Sequence, residues 1–297
     1  MSDKILTIGD KKVKVSNPDK ALYPTGFTKM EVVDYYRAVA DIILPHLKDR
    51  PITMKRYPHG SDKDYFYEKR CPSFRPDWIQ TGELPSEKED PPFSCIVNNE
   101  AALVWVANLA SLEIHPQLFL SSDVDTPTWM VFDLDPGAPA DILDCTDIAL
   151  KMRDILSDQG LKSYPKTSGG KGLHFYVPLN TRADFDKVKG YAKTLAQAFA
   201  NEYPDKVVAK MSKKLREGKV FIDWSQNDQH KTTVSVYSLR ARQKPTVSTP
   251  VTWDEVEQAN KKRDASLLYF EAPDVIKRMD KMGDIFKDML EVKQELK

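Results

Sequence analysis

The sequence predicts an α+β fold. Three observations point there: amphipathic helical repeats opened by capping boxes, short β-prone runs closed by Pro-Gly or glycine turns, and an ordered succession of strand, helix, strand, strand, helix and strand from Trp129 onward. The 297 residues, 41% of them hydrophobic, are enough for a large buried core. Lysine plus arginine and aspartate plus glutamate balance at 44 each, so bulk charge supplies no argument for a polyanionic partner. The charges are nevertheless segregated. Nine acids face two bases between Asp123 and Asp158, whereas six bases face one acid between Lys206 and Lys219. Cys71, Cys95 and Cys145 form no CxxC pair, and neither a disulfide framework nor a zinc site is expected. With no signal-peptide pattern and no apolar run near ~18 residues, no membrane partner is expected and the predicted compartment is a reducing cytoplasm.

The elements follow in order. Short β-like stretches open the chain. Thr28 and Glu31 then form a capping box, and Met30, Val33, Tyr36, Ala40, Ile43, Leu44 and Leu47 recur at helical spacing, predicting one helix over residues 28–48 disturbed at Pro45. A polar loop rich in proline, glutamate and lysine spans 85–92, and an apolar stretch covers 101–110. The second region reads as a strand at 129–135, a helix at 140–159 and a strand at 161–166. The glycine-rich Ser168–Gly172 turn follows, then a strand at 173–179, a helix at 183–203 and strands at 220–224 and 232–237. This order suggests a ferredoxin-like or RRM-like sheet with both helices on one face. Thr252 and Glu255 make a further capping box, and helices are expected through 256–260 and 275–291.

Three acids stand out within the strands. Asp133 and Asp135 alternate with Phe132 and Leu134, so both carboxylates share a face and repel one another unless a cation lies between them. Oxygen ligands of this kind suit Mg²⁺ or Mn²⁺. Asp223 interrupts the β-prone run Val220–Trp224 and must be paired, metal-bound or at a sheet edge. Between these strands lie Ser168, Lys171 and His174, with glycines at 169, 170 and 172 that let backbone amides approach an anion. No Walker loop or GxGxxG fingerprint is present. Lys55, Arg56, His115, Arg240 and Arg242 could be further donors for phosphate or sugar, although each taken alone reads rather as an ordinary surface charge or, for the histidine, a satisfied polar contact.

DLDPG, then SGGKGLHFYVPL, then VFIDWSQND with KTTVSVYSLRAR together resemble the polymerase domain of bacterial DNA ligase D, a member of the archaeo-eukaryotic primase superfamily. The resemblance runs from Asn17 to Val256. Ser235-Val236 departs from it, standing where the family often has Ala-Pro. It implies a primase-polymerase core with an N-terminal α/β module: one domain over 1–297, comprising 1–125 with 5′-phosphate contacts, a catalytic module at 126–249 and a helical tail at 250–297. It implies two Mn²⁺ or Mg²⁺ ions on Asp133, Asp135 and Asp223. It also implies nucleotide binding by Lys55, His115, Ser168, Lys171, His174 and Arg240, and DNA binding by Lys20, Lys29, Phe66, Tyr67 and Arg216. The implied activity is template-dependent addition of rNTPs or dNTPs to a DNA 3′ primer end beside a downstream 5′-phosphate, as gap filling in non-homologous end joining. Nucleoid association and partners such as a Ku-like end binder and a separate DNA ligase belong to the same expectation. A stand-alone primase-polymerase and a non-catalytic DNA-end-binding module are the alternatives. No ligase or nuclease region is evident, so a free-standing enzyme or a piece of a longer protein are both compatible with the sequence.

Overall fold

The computed structural model describes residues 3–85 and 93–296. The fold is α+β, and the chain packs into two compact units: Met1–Val124 with Thr232–Ser248 and Phe270–Asp284, and Asp125–Lys231 with Thr249–Tyr269 and Ile285–Lys297. Most of the polar 85–92 loop lies outside the described residues.

The first unit opens with an antiparallel hairpin, β1 (Lys4–Ile8) and β2 (Lys11–Val15). The single helix expected over 28–48 is two, α1 (Lys29–Ala38) and α2 (Ala40–Leu47), and the break falls at Val39 rather than Pro45. The two helices bury different groups. Tyr35 donates to the Tyr237 carbonyl and Tyr36 to the Leu112 carbonyl, each at 2.8 Å, while α2 buries its own face of Ile42, Ile43 and Leu47. The capping box of Thr28 and Glu31 forms as expected.

At the centre of this unit lies β3 (Pro51–Arg56), paired with β4 (Phe66–Glu68), β6 (Phe93–Ile96) and, antiparallel, β7 (Ser111–Pro116). A fourth neighbour, β5 (Thr81–Glu83), pairs with β6. The apolar stretch after 100 is α3 (Glu100–Asn108), capped by Asn99 and buried along most of its length. Contrary to expectation there is a disulfide, joining Cys71 to Cys95 with 4.8 Å between the Cα atoms. The 24-residue separation conceals a pairing that only the sheet creates, since Cys71 N–H also donates to the Phe93 carbonyl beside β6. The strand expected at 232–237 is also absent. This stretch docks on β7 by a single bond, Ser235 N–H to Ile114 O at 2.9 Å, before Tyr237 turns with φ +60° and Ser238 Oγ accepts from Ile114 N–H at 3.0 Å. Its alternating apolar residues are buried, which is why it reads as a strand, but the left-handed turn ends any ladder.

A two-stranded ribbon, β8 (Phe119–Leu120) and β9 (Asp123–Pro127), precedes the second sheet. That sheet comprises β10 (Trp129–Pro136), β11 (Tyr164–Thr167), β12 (Leu173–Pro178), β13 (Val207–Val208) and β14 (Val220–Asp223), ordered β11-β12-β10-β14-β13. Taking the four predicted strands alone, the spatial order 2-3-1-4 is the expected ferredoxin-like one; β13 is added in parallel beside β14. Two helices, α4 (Ile142–Asp158) and α5 (Phe185–Glu202), pack on the sheet. Phe132, Leu134, Leu173, Phe175 and Ile222 are fully buried, and Phe132 stacks on Phe175. The tail forms α6 (Trp253–Lys262), opened by the expected Thr252 box, and α7 (Ala272–Met282), which ends well before the predicted 291 at Gly283.

Two glycines set close approaches beside the acids. A Cβ on Gly172 would sit 2.3 Å from the Leu134 carbonyl oxygen, and one on Gly137 would sit 1.8 Å from that of Arg216. The Pro136-Gly137 turn is thereby zipped to the basic loop, with Gly137 N–H donating to Lys219 O at 2.8 Å and Gly218 N–H to Gly137 O at 3.0 Å. Gly137→Ala is expected to cost about 2 kcal/mol by overpacking, read as a lowered urea midpoint; an unchanged midpoint would contradict the close approach.

Candidate active site

Antiparallel register lines up the chemistry of the second unit. Asp133 stands opposite His174 on one side and Asp223 on the other, while His174 stands opposite Lys166. Directly opposed residues share a face, so Lys166, His174, Asp133 and Asp223 form one row across four strands. Asp135 lies on the same face, two residues along β10. Phe132 and Leu134 take the other face, as the alternation predicts.

Each member of the row has defined contacts. His174 Nε2 lies 3.1 Å from Asp133 Oδ1, both largely buried. Asp223 Oδ1 accepts from the Ser225 amide at 3.0 Å and the Ser225 hydroxyl at 2.6 Å, and its Oδ2 accepts from Gln226 at 3.0 Å. At the exposed end of the strand, the negative charge of Asp133, with burial adding to it, pushes the Asp135 carboxyl up to about 6; His174 and Arg216 oppose that shift. Arg216 folds over the Phe221 ring, 3.6 Å from its centroid, and donates to Met211 O at 2.9 Å. It therefore stands beside the acids.

The glycine turn is built differently from the anion cradle expected of it. Ser168 Oγ accepts from the amides of Gly170 at 3.1 Å and Gly172 at 3.0 Å, so these two N–H groups are spent on shaping the turn. Lys171 is exposed at its tip and His174 is buried beneath it.

A second constellation belongs to the first unit. Lys55 on β3 stands opposite Glu113 on β7, and Thr53 opposite His115. Glu113 Oε2 lies 3.0 Å from His115 Nε2 and 3.3 Å from Arg240 Nε, and Oε1 lies 3.6 Å from Lys55 Nζ. Burial alone would raise the Glu113 carboxyl, but Arg240, His115 and Lys55 hold it far below the usual carboxylate range. Burial lowers both Lys55 and His115, and Glu113 counters it in each case. The rings of Tyr57, Tyr65 and Tyr67 surround Lys55 Nζ, that of Tyr65 at 4.2 Å from its centroid.

Phe66 and Tyr67 are adjacent on a strand and so point to opposite faces. Tyr67 is opposite Lys55, while Phe66 is opposite Arg56, whose guanidinium lies 5.1 Å from its ring centroid. The expected aromatic pair is thus divided. Lys29 is only 7% exposed, and Nζ donates to Ser16 O at 2.8 Å, Ser16 Oγ at 3.1 Å and Asn108 Oδ1 at 3.3 Å. Burial, with the charges of Lys20 and Arg56 adding to it, brings its pKa down to about 8. Lys20 Nζ donates to Pro58 O at 2.6 Å.

Glu113, Tyr57, Tyr65 and Lys166 escaped the sequence reading. Glu113 carried a usable signal, since an acid between Leu112 and Ile114 two positions before His115 follows the same logic that singled out Asp223.

Strand-borne acids on a ferredoxin-like sheet, followed by a glycine turn leading to a histidine, define a primase-polymerase type of protein. Residues 28–286 match the LigD primase-polymerase domain family, and the chain belongs to it. It is 42% identical over 277 residues to the multifunctional non-homologous end joining protein LigD of Mycolicibacterium smegmatis, a match covering 92% of this chain and 35% of that protein. It is 30% identical to the bifunctional non-homologous end joining protein LigD of Bacillus subtilis, covering 93% and 44%. Among solved structures, the polymerase domain of Mycobacterium tuberculosis ligase D in complex with DNA matches with a TM-score of 0.87 at 35% identity, covering 96% of this chain and all of that one. The chain thus spans about a third to under a half of the length of these curated relatives. Among the described residues, no helix is long and apolar enough to cross a membrane.

Among the described residues, no group of three or more His, Cys, Asp or Glu side chains is already arranged to hold a metal ion. The donor set fits one nonetheless. The mutual repulsion that raises Asp135 is what a divalent cation relieves, and the ligands on offer are hard carboxylate oxygens. Removing that repulsion without a metal has a predicted consequence. Asp135 takes up its proton more tightly when folded, so through roughly pH 4 to 6 stability falls as pH rises. In chelator at pH 7.5, Asp135→Asn is expected to raise the melting temperature by about 2–4 °C, a modest gain because solvent screens this group; a lowered melting temperature would contradict the repulsion.

Proposed function

We propose that this chain is a template-dependent polymerase that adds ribo- or deoxyribonucleotides to DNA 3′ ends and fills short gaps during prokaryotic non-homologous end joining. The observation that carries this reading is the row Asp223, Asp133 and His174 with Asp135 on the same sheet face, in a chain of the LigD primase-polymerase family. Asp133, Asp135 and Asp223 are the residues that would hold two Mg²⁺ or Mn²⁺ ions, and bound there the ions would lower the pKa of the primer hydroxyl and neutralise charge on the triphosphate.

The chain's own residues do the rest. Lys55, His115, Lys171, His174 and Arg240 are the proposed nucleotide-binding residues, which meet negative charge as pyrophosphate leaves. Ser168 keeps the glycine turn in shape. Lys20 and Lys29 bind a downstream 5′-phosphate, while Phe66, Tyr67 and Arg216 hold the template strand, stacking being tolerant of sequence. A Ku-like end binder and a ligase activity are the natural companions of such gap filling.

Primer extension on a short-gapped duplex tests the reading. Asp133→Ala and Asp223→Ala are each expected to lower extension about a hundredfold or more; wild-type extension by either would overturn the metal assignment. A second test uses Lys29, which sheds its proton through about pH 8. Preference for a 5′-phosphorylated over a 5′-hydroxyl downstream strand is expected to shrink by about an order of magnitude between pH 7 and 9. A preference constant over that range would remove Lys29 from the phosphate site.

A further inference from the structure

The most heavily engaged carboxylate of the first unit is one that neither composition nor motif brought forward. Glu113 is 2% exposed. It gathers groups from separate stretches of chain: Lys55 from β3, His115 from its own strand, and Arg240 from the Thr232–Ser248 segment. Its Oε1 also accepts from the Tyr57 hydroxyl and the Ala241 amide, both at 3.2 Å.

We infer that Glu113 is a positioning residue for the incoming nucleotide, an internal anion that assembles Lys55, His115 and Arg240 before a triphosphate arrives. The inference rests on the nucleotide-binding reading of those three residues. Basic groups brought together repel one another, and a buried anion among them offsets that cost. The carboxylate is itself held by two neutral donors, Tyr57 Oη and the Ala241 amide, so it stays in place as the cations turn to a ligand. Arg240 is fixed through its backbone as well. Its N–H donates to Thr246 O at 2.8 Å, and its carbonyl accepts from the Tyr23 hydroxyl at 3.1 Å. Preformed donors of this kind need no rearrangement when negative charge arrives.

A structural glutamate and a positioning one differ in what they do to protonation. Around Lys55 stand Glu113, Arg240 and Arg242, with the rings of Tyr57, Tyr65 and Tyr67. Glu113 is the anion in that set, so neutralising it lets burial and the two arginines draw the proton off Lys55 at lower pH.

The experiment measures Mg²⁺-UTP binding to the full chain on gapped DNA across pH 6.5–10, with DNA affinity and its 5′-phosphate preference read in parallel. Glu113→Gln is expected to weaken UTP about tenfold at neutral pH and to move the alkaline loss of binding to lower pH, with DNA affinity unchanged. Glu113→Asp, which keeps the charge, is expected to retain the wild-type alkaline limb. Wild-type UTP affinity with an unmoved limb in Glu113→Gln overturns the inference. So does joint loss of UTP and DNA binding in both variants, which marks a residue needed only for folding. Lys55→Ala and Arg240→Ala are the controls: if neither weakens UTP, the nucleotide-binding reading fails, and the role of Glu113 fails with it.

Discussion

A carboxylate set against another on one sheet face must be neutralised, protonated or bridged, and the second unit is organised around that requirement. The ladder of β10 with β12 and β14 sets His174 and Asp223 opposite Asp133 on its two sides. Asp133 is met by an imidazole, Asp223 by the hydroxyl and amides of its own turn, and Asp135 by a raised affinity for the proton. The helices on the opposite face make this arrangement rigid. A β10 slipped by one residue would exchange the two faces, turning the acids onto the side that Phe132 and Leu134 now occupy, so the hydrophobic core and the acid row specify the same register.

The first unit meets the mirror-image difficulty. There the basic side chains converge, and a single buried glutamate holds them. The strand pair β3–β4 then separates two kinds of contact by alternation alone. Lys55 and Tyr67 face one way, Arg56 and Phe66 the other, so one ribbon presents two chemically distinct faces.

Much of this was legible in the sequence, for reasons that can be named. Period-two alternation placed Asp133 and Asp135 on one face, and β-propensity around Asp223 marked it as a strand acid; both rest on local rules. The four-strand order of the second sheet followed from the element succession. What failed depends on long-range partners. The helix expected over 28–48 divides at Val39, and Tyr35 and Tyr36 before the break bond to segments 202 and 76 residues away. Cys71 meets Cys95 where its N–H bonds to the Phe93 carbonyl on β6. Residues 232–237 have the burial of a strand but meet β7 by isolated bonds rather than a ladder, and Tyr237 turns them away. Alternation could also have divided Phe66 from Tyr67, but reading them as a pair concealed it.

The two units are interleaved along the chain, and that bears on how the protein is made. Translation delivers residues in order, and domains tend to fold as their last parts appear. The first unit lacks Arg240 until well after the second sheet has been synthesised, and Asp284, which accepts from Tyr237 and bonds to His46, arrives later still. On the ribosome, therefore, β3 and β7 emerge with Glu113 and two of its basic partners but without the third. The cationic cluster is completed only once Arg240 has been made, and a nascent chain halted at residue 231 would carry the full acid row and an unfinished cluster.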